Sequence, residues 1–245
     1  MIAVPLASKV TAFLRASLVD RARERPEQTP QALLRRRAVV AVTLIAGSIA
    51  LGLTLNVEPG EPLFYTASLG VAALWAVGAF ASGGLSLGGS ARWRWTPRGR
   101  AALHGFILGA SLLAVFLLGA VAVGQIETLR RPVDELLAHA IYGSLWAVAL
   151  VTLISGICEE LFFRGAVFAA MPRRWEIVGS SIVYALSTIF SGVHLLTFAA
   201  ICLGLLTAAH RRVTGGVLGP IVIHVTWSLG MLFLLPHALS IGDLL

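Results

Sequence analysis

The sequence predicts an all-α protein in which about seven helices cross a membrane. Of its 245 residues, 57% are hydrophobic and only 13% are charged, whereas a soluble domain carries about 25% charged residues. The mean hydropathy is +0.85, and the apolar residues fall in seven long runs. Cys158 and Cys202 lie inside such runs, which is typical of small buried residues rather than of a disulfide framework, and CxxC spacings are absent.

Residues 1–36 form a basic segment without the uninterrupted apolar core of a signal peptide. Apolar residues recur there at helical spacing with basic residues nearby: Val10, Phe13, Leu14 and Leu18, with Lys9, Arg15 and Arg21. This pattern predicts a helix that lies on the inner membrane surface. A mobile basic tail is the alternative, and the pattern does not choose between the two.

The seven apolar runs predict the spans. They cover residues 38–57, 63–84, 101–124, 138–158, 176–193, 195–209 and 217–235. A span needs about 20 residues for a ~30 Å core, and the fifth and sixth runs are short. Because residues 176–209 must supply two passes of about 17 residues each, we expect a hairpin that stops short of the outer surface. We divide the rest of the chain into N-terminal spans, 37–137, and a functional core, 138–245.

The basic residues outside the runs predict the orientation. Eight precede the first run, four lie between the second and third (Arg92, Arg94, Arg98 and Arg100), and two each follow the fourth and the sixth. The other side carries only Arg130 and Arg131, with the acidic residues Glu58, Glu61, Glu127, Asp134, Glu135 and Asp243. The positive-inside rule therefore predicts a cytoplasmic N-terminus and an external C-terminus, with Trp93 and Trp95 as interfacial anchors. Topology explains the net charge of +7, so no nucleic-acid partner is expected.

The stretch Ser155 to Gly165 places charges at the end of the fourth span. Each of Glu159, Glu160 and Arg164 costs roughly 2.5–3.5 kcal/mol at the centre of a membrane, so charges here indicate a functional site. If the helix continues, Glu160 and Arg164 share a face, and we expect them to form a structural pair. Glu159 points about 100° away and stays available.

Two more polar groups lie in the last third of the chain. Phe190 and His194 close the fifth run, whereas His224 and Ser228 lie one helical turn apart in the seventh. A single histidine in an apolar helix is usually a packing residue. Several such groups in one membrane protein are expected to face each other, because each is costly alone in lipid.

These three motifs, Glu159-Glu160-xxx-Arg164, Phe190-xxx-His194 and His224-xxx-Ser228, resemble in order those of the CPBP (CAAX protease and bacteriocin-processing, or Abi) family of intramembrane proteases. That family includes the type II CAAX prenyl endopeptidases. The resemblance covers roughly residues 138–235. It implies that Glu159 and His194 activate a water and that His224 and Ser228 stabilise the oxyanion, without a cofactor. The family's third motif usually ends in Asn or Asp, and this chain has Ser228 instead.

The resemblance implies an endopeptidase that cuts near the C-terminus of a membrane-anchored protein or peptide. A zinc site formed by Glu159, His194 and His224 is the alternative mechanism. Two other classes stay open at this point. One is a membrane scaffold, favoured by the altered third motif, and the other is a transporter with an intramembrane proton relay.

Composition and depth complete the sequence-based picture. Lys9 is the single lysine among many Ala, Gly and Arg residues, which is typical of a GC-rich bacterium, so we expect a bacterial plasma-membrane protein. Glu159, His194 and His224 are expected in one cavity of the cytoplasmic half. Their carboxylate–imidazole separations should be about 3–6 Å, because a general base must reach its proton directly or through one water.

Overall fold

The computed structural model describes residues 6–20, 28–86 and 98–242, and this part of the chain is a bundle of helices without strands. In chain order the helices are α1 (Leu6–Leu14, continued by a π-helical turn Arg15–Val19), α2 (Pro30–Leu55), α3 (Pro62–Ala81), α4 (Arg98–Val123), α5 (Glu127–Tyr142), α6 (Leu145–Glu160, continued by a π-helical stretch Leu161–Val167 and a last turn Phe168–Ala170), α7 (Glu176–Ser187, followed by a 3-10 turn Ile189–Ser191), α8 (His194–Thr214) and α9 (Leu218–Gly242).

Six of these helices are long and apolar enough to cross a membrane, namely α2, α3, α4, the continuous α6, α8 and α9. The fifth predicted span corresponds to Glu176–Ser191, which is apolar but shorter than these six. The chain is therefore a polytopic helical membrane protein, as its sequence predicts. We call the side on which α2 begins the basic side and the opposite one the outer side. Arg21, Arg92, Trp93, Arg94, Trp95 and Asp243, which enter the orientation argument or the expected interfacial helix, lie outside the described residues.

The fourth and sixth passes differ from their predicted bounds. Residues 138–142 do not open the fourth span but end α5, because the helix is interrupted at Gly143. Ser144 then caps the start of α6 by accepting a 3.3 Å hydrogen bond from the Ala147 N–H. The α5 helix is amphipathic and packs on the outer ends of α4 and α9 through Val133 and Leu137. The sixth pass is not short, since α8 extends over 21 residues to Thr214.

Residues 6–20 are docked on the bundle. Ser17 is fully buried at the end of α1, where its hydroxyl lies 2.9 Å from Nδ1 of His104 and its carbonyl oxygen 2.9 Å from Nδ1 of His210. Phe13 and Leu18 pack against the main core, whereas Val10 and Leu14 remain exposed. Residues 6–19 are therefore helical, and the position of this helix on the inner membrane surface stays a prediction. The buried His210, which our sequence analysis did not single out, holds this contact.

The first span begins earlier than predicted, at Pro30, so Arg35, Arg36 and Arg37 belong to α2. Arg36 is buried and donates hydrogen bonds to the Ser82 hydroxyl and to the carbonyl oxygen of Gly84. This basic cluster thus fastens the start of α2 to the end of α3.

Close helix packing sets the position of α9. At Gly105 and Gly109 on α4, an added Cβ would lie 2.7 Å from the carbonyl oxygens of Gly219 and Ile223 on α9. Only glycine allows this approach, as in other small-residue helix interfaces of membrane proteins. The approach sets the height and rotation of α9, and with them the direction of His224 toward α6.

Candidate active site

The fourth span delivers both carboxylates and the arginine. The helix does not end at Glu160 but widens into a π-helical stretch, a form that is frequent at functional sites. The continuous helix places Nη1 of Arg164 3.1 Å from Oε1 of Glu160, and both side chains are completely buried. The contact predicted from the four-residue spacing is therefore present.

Arg164 is enclosed on its other sides by apolar or aromatic groups. Its guanidinium lies 4.7 Å from the centroid of the Tyr184 ring, in a cation–π arrangement. Gly204 of α8 leaves room for the guanidinium, since a Cβ at Gly204 would lie 3.4 Å from Nη2 of Arg164. Beyond these contacts, none of its three nitrogens has a hydrogen-bond partner among the described residues. Glu160 is thus the counter-ion of a buried cation.

His224 joins the same carboxylate from α9. Its Nδ1 lies 2.9 Å from Oε1 of Glu160, whereas its Nε2 lies 4.0 Å from Oε2 of Glu159. The ring packs over Gly156, where a Cβ would lie 3.4 Å from Cδ2. Glu160 therefore binds both Arg164 and His224, and it fixes the imidazole so that Nε2 is directed toward Glu159.

Glu159 is the accessible carboxylate. Its side chain is 18% exposed, in contrast to the fully buried Glu160. It points away from the Glu160–Arg164 pair, as the 100° step of a helix predicts. Its Oε2 accepts a 2.8 Å hydrogen bond from the Tyr184 hydroxyl. Glu159 thus combines partial access with a fixed orientation.

Tyr184 is the site residue that our sequence analysis missed. It lies one turn before the end of α7 and is buried, with its ring 4.7 Å from Phe163 and 6.2 Å from His224. A signal was available, because the chain has only three tyrosines and a hydroxyl inside an apolar span must find a partner. The sequence did not reveal which carboxylate that partner would be.

The structure does not bring His194 into this group. His194 is exposed at the first residue of α8, and among the described residues no hydrogen bond or ion pair joins it to either carboxylate. Neighbouring contacts explain why. The helices α7 and α8 are antiparallel, and the contacts Thr188–Thr197 and Ser181–Gly204 set their register. Ile201 of α8 is therefore level with Tyr184. His194 precedes Ile201 by seven residues, which is about 10 Å along the helix.

The hairpin that carries His194 lies close to the outer side. Phe190, 61% exposed, packs on Gly52 near the end of α2, where a Cβ would lie 2.9 Å from the Phe190 carbonyl oxygen. Gly52 is three residues, or about 5 Å, before the end of that helix. The hairpin is thus recessed by only about 5 Å. The prediction that His194 converges with Glu159 and His224 is wrong, whereas Glu159 and His224 do lie together.

Ser228 is the other polar residue of the predicted third motif. It follows His224 by one turn on the same helix, and its Oγ is buried without a hydrogen-bond partner among the described residues. Buried hydroxyls are rarely left without a partner. This one is available to a bound water or to a substrate.

The alternative metal site is not assembled, because His194 is separated from Glu159 and His224. Among the described residues, no three His, Cys, Asp or Glu side chains are arranged to hold a metal ion.

A known protein family matches the part of the chain that forms this site. Residues 141–230 match the family model described as Type II CAAX prenyl endopeptidase Rce1-like. The match confirms the resemblance found in the sequence and contains every residue of the site. No curated protein and no solved structure matches the chain.

Proposed function

From the match of residues 141–230 to the Rce1-like family, we propose that the chain is an intramembrane endopeptidase. The family match supports a CAAX-type membrane protease in general. Our finer proposal is a glutamate-type enzyme that hydrolyses a peptide bond near the C-terminus of a membrane-associated protein or peptide. The observation that carries it is the accessible Glu159 beside the fixed imidazole of His224.

In the proposed reaction Glu159 acts as the general base. Its carboxylate takes a proton from a water while the water oxygen attacks the scissile carbonyl carbon. The resulting tetrahedral intermediate collapses with cleavage of the C–N bond, and Glu159 returns the proton to the leaving amine. The Tyr184 hydrogen bond to Oε2 favours proton transfer through the other carboxylate oxygen.

His224 and Ser228 are proposed to stabilise the oxyanion. The Glu160 carboxylate lies 2.9 Å from Nδ1 of His224 and fixes the ring, so that Nε2 faces the reacting carboxylate and is a donor when it carries the proton. The unpartnered Oγ of Ser228 is a second donor one turn away. Donors fixed before the reaction stabilise developing charge without reorganisation.

The depth of the site supports entry of substrate from within the membrane. Glu159 precedes the basic-side end of the fourth span by eleven residues, about 16 Å, and His224 follows the start of α9 by six, about 9 Å. We propose that the basic side is cytoplasmic and that the protein is a multi-pass protein of a bacterial plasma membrane. A membrane-anchored substrate would then reach Glu159 sideways between helices.

The test compares C-terminal peptides from cells with the gene, cells without it, and cells that carry Glu159→Gln. We expect shortened C-termini of membrane-associated proteins only with the wild-type gene. Glu159→Gln is nearly isosteric and removes only the base. Identical peptide sets in all three strains would refute the proposed activity.

A membrane scaffold is the second candidate. The separation of His194 from Glu159 and the presence of Ser228 in the third motif favour it. This function would be identified if the gene deletion causes a phenotype that expression of Glu159→Gln fully complements, while the C-terminal peptides stay unchanged.

A further inference from the structure

The side of α7 that faces the site carries Tyr184. The centroid of the tyrosine ring lies 4.7 Å from that of Phe163 and 4.7 Å from the guanidinium of Arg164. Its hydroxyl donates to Glu159. Tyr184 contacts both the accessible carboxylate and, through its ring, a member of the buried pair, as His224 does through Nε2 and Nδ1. Tyr184 therefore links the two halves of the fourth-span motif.

The spacing of the second motif is repeated on this side of α7. Phe190-xxx-His194 is an aromatic residue followed after three others by a polar one, and Tyr184-xxx-Thr188, six residues earlier, has the same form. Thr188 is buried one turn beyond Tyr184, where its hydroxyl donates to the Ala185 carbonyl oxygen and lies 3.1 Å from the Thr197 hydroxyl. The earlier pair faces the bundle, whereas Phe190 and His194 are exposed.

We propose that Tyr184 and Thr188, not Phe190 and His194, form the α7 wall of the site, and that Tyr184 is the positioning residue of Glu159. The proposal rests on the proposed peptidase function. Beside His224, the second partner of the Glu159 carboxylate is then the Tyr184 hydroxyl rather than the imidazole of His194.

The contacts explain how Tyr184 acts. A carboxylate in an apolar bundle has several rotamers, and the hydrogen bond from Tyr184 selects one in which Oε2 is engaged. Because the ring contacts both Phe163 and the guanidinium of Arg164, these neighbours restrict its movement and hold the hydroxyl in place. The orientation of Glu159 is thereby coupled to the buried Glu160–Arg164 pair. A base held in a productive geometry gains rate without any change in substrate affinity.

Three variants separate this proposal from the sequence-based alternative. Tyr184→Phe removes one hydroxyl and retains the ring. Tyr65→Phe is the matched control, because the Tyr65 hydroxyl accepts a 2.9 Å hydrogen bond from the Ser144 N–H at the outer side, away from the site. His194→Ala tests the alternative partner. The protein is purified in nanodiscs, and a substrate peptide identified by the C-terminal peptide comparison is cleaved.

We expect Tyr184→Phe to lower kcat about 10- to 100-fold, the effect of one hydrogen bond to a charged group, with KM nearly unchanged. Tyr65→Phe and His194→Ala should retain kcat within about threefold, as for changes outside the reacting groups. A loss in His194→Ala as large as in Glu159→Gln, with full activity in Tyr184→Phe, would overturn the proposal.

A second measurement does not depend on activity. The infrared carboxyl and carboxylate bands of Glu159 are identified as those lost in Glu159→Gln. They should shift in Tyr184→Phe and remain in place in Tyr65→Phe and His194→Ala. If no variant cleaves peptide but the bands shift as expected, the peptidase function fails and the Tyr184 contact stands. If the bands respond to His194→Ala and not to Tyr184→Phe, the positioning role is refuted.

Discussion

Replacing Glu160 by Ala tests whether the buried pair of the fourth span is structural. In the wild type, one oxygen of Glu160 binds both Nη1 of Arg164, at 3.1 Å, and Nδ1 of His224, at 2.9 Å. The variant leaves a completely buried guanidinium without its counter-ion. Breaking a buried pair in this way costs about 3–5 kcal/mol, a large part of the roughly 5–15 kcal/mol that stabilises a folded protein.

The matched control is Glu159→Ala, the same change at the adjacent carboxylate. Glu159 is 18% exposed and accepts one hydrogen bond from Tyr184, so its loss should cost about 1–3 kcal/mol. We expect Glu160→Ala to be less abundant in membranes and to unfold at a lower temperature in nanodiscs than Glu159→Ala.

A third variant distinguishes loss of charge balance from loss of packing. Glu160→Leu combined with Arg164→Leu removes both buried charges, and such replacements are often neutral or stabilising. The double variant should therefore recover part of the stability that Glu160→Ala loses. Equal abundance and equal unfolding temperatures for Glu160→Ala and Glu159→Ala would refute the structural role of the pair.

Three further predictions concern other parts of the bundle. Reporter fusions at Gly242 should report the external side, since the basic residues of the loops favour a cytoplasmic N-terminus; a cytoplasmic signal would contradict the seven-pass topology. Gly109→Leu should separate α4 from α9 and abolish folding or activity, because its Cβ alone would lie 2.7 Å from the Ile223 carbonyl oxygen; wild-type unfolding temperature and activity would show that this contact is not needed. Burial lowers the pKa of His139, which is stacked 3.9 Å from Phe64, so the neutral form favours the docked α5. That stabilisation is present above about pH 6.5 and is lost as the pH falls through the lowered pKa, so amide exchange in α5, corrected for intrinsic rates, should increase in acid, and His139→Phe should remove the response.

The sequence determined the features that depend on one segment of chain. The apolar runs identified the membrane passes, because a run of about 20 apolar residues is stable across a bilayer only as a helix. The Glu160–Arg164 contact followed from the four-residue spacing, which is a local property of a helix. The accessibility of Glu159 followed from the same geometry.

Local pattern was misleading where a break in the helix mattered. The apolar run 138–158 concealed the boundary at Gly143, because the last turn of the amphipathic α5 is itself apolar. The motif at Phe190 and His194 has the expected spacing, but it lies on a hairpin near the outer side. Spacing along the chain does not reveal whether a turn faces the bundle or the lipid.

Only the tertiary structure decided which side chains from different helices meet. The approach of α9 to α4 at Gly105 and Gly109 sets the rotation that directs Nδ1 of His224 to Glu160 rather than to Glu159. The antiparallel register of α7 and α8 places Tyr184, and not His194, at Glu159. These contacts depend on distances of a few ångströms between helices that are far apart in the chain, and such distances result from packing of the whole bundle, which no single segment encodes.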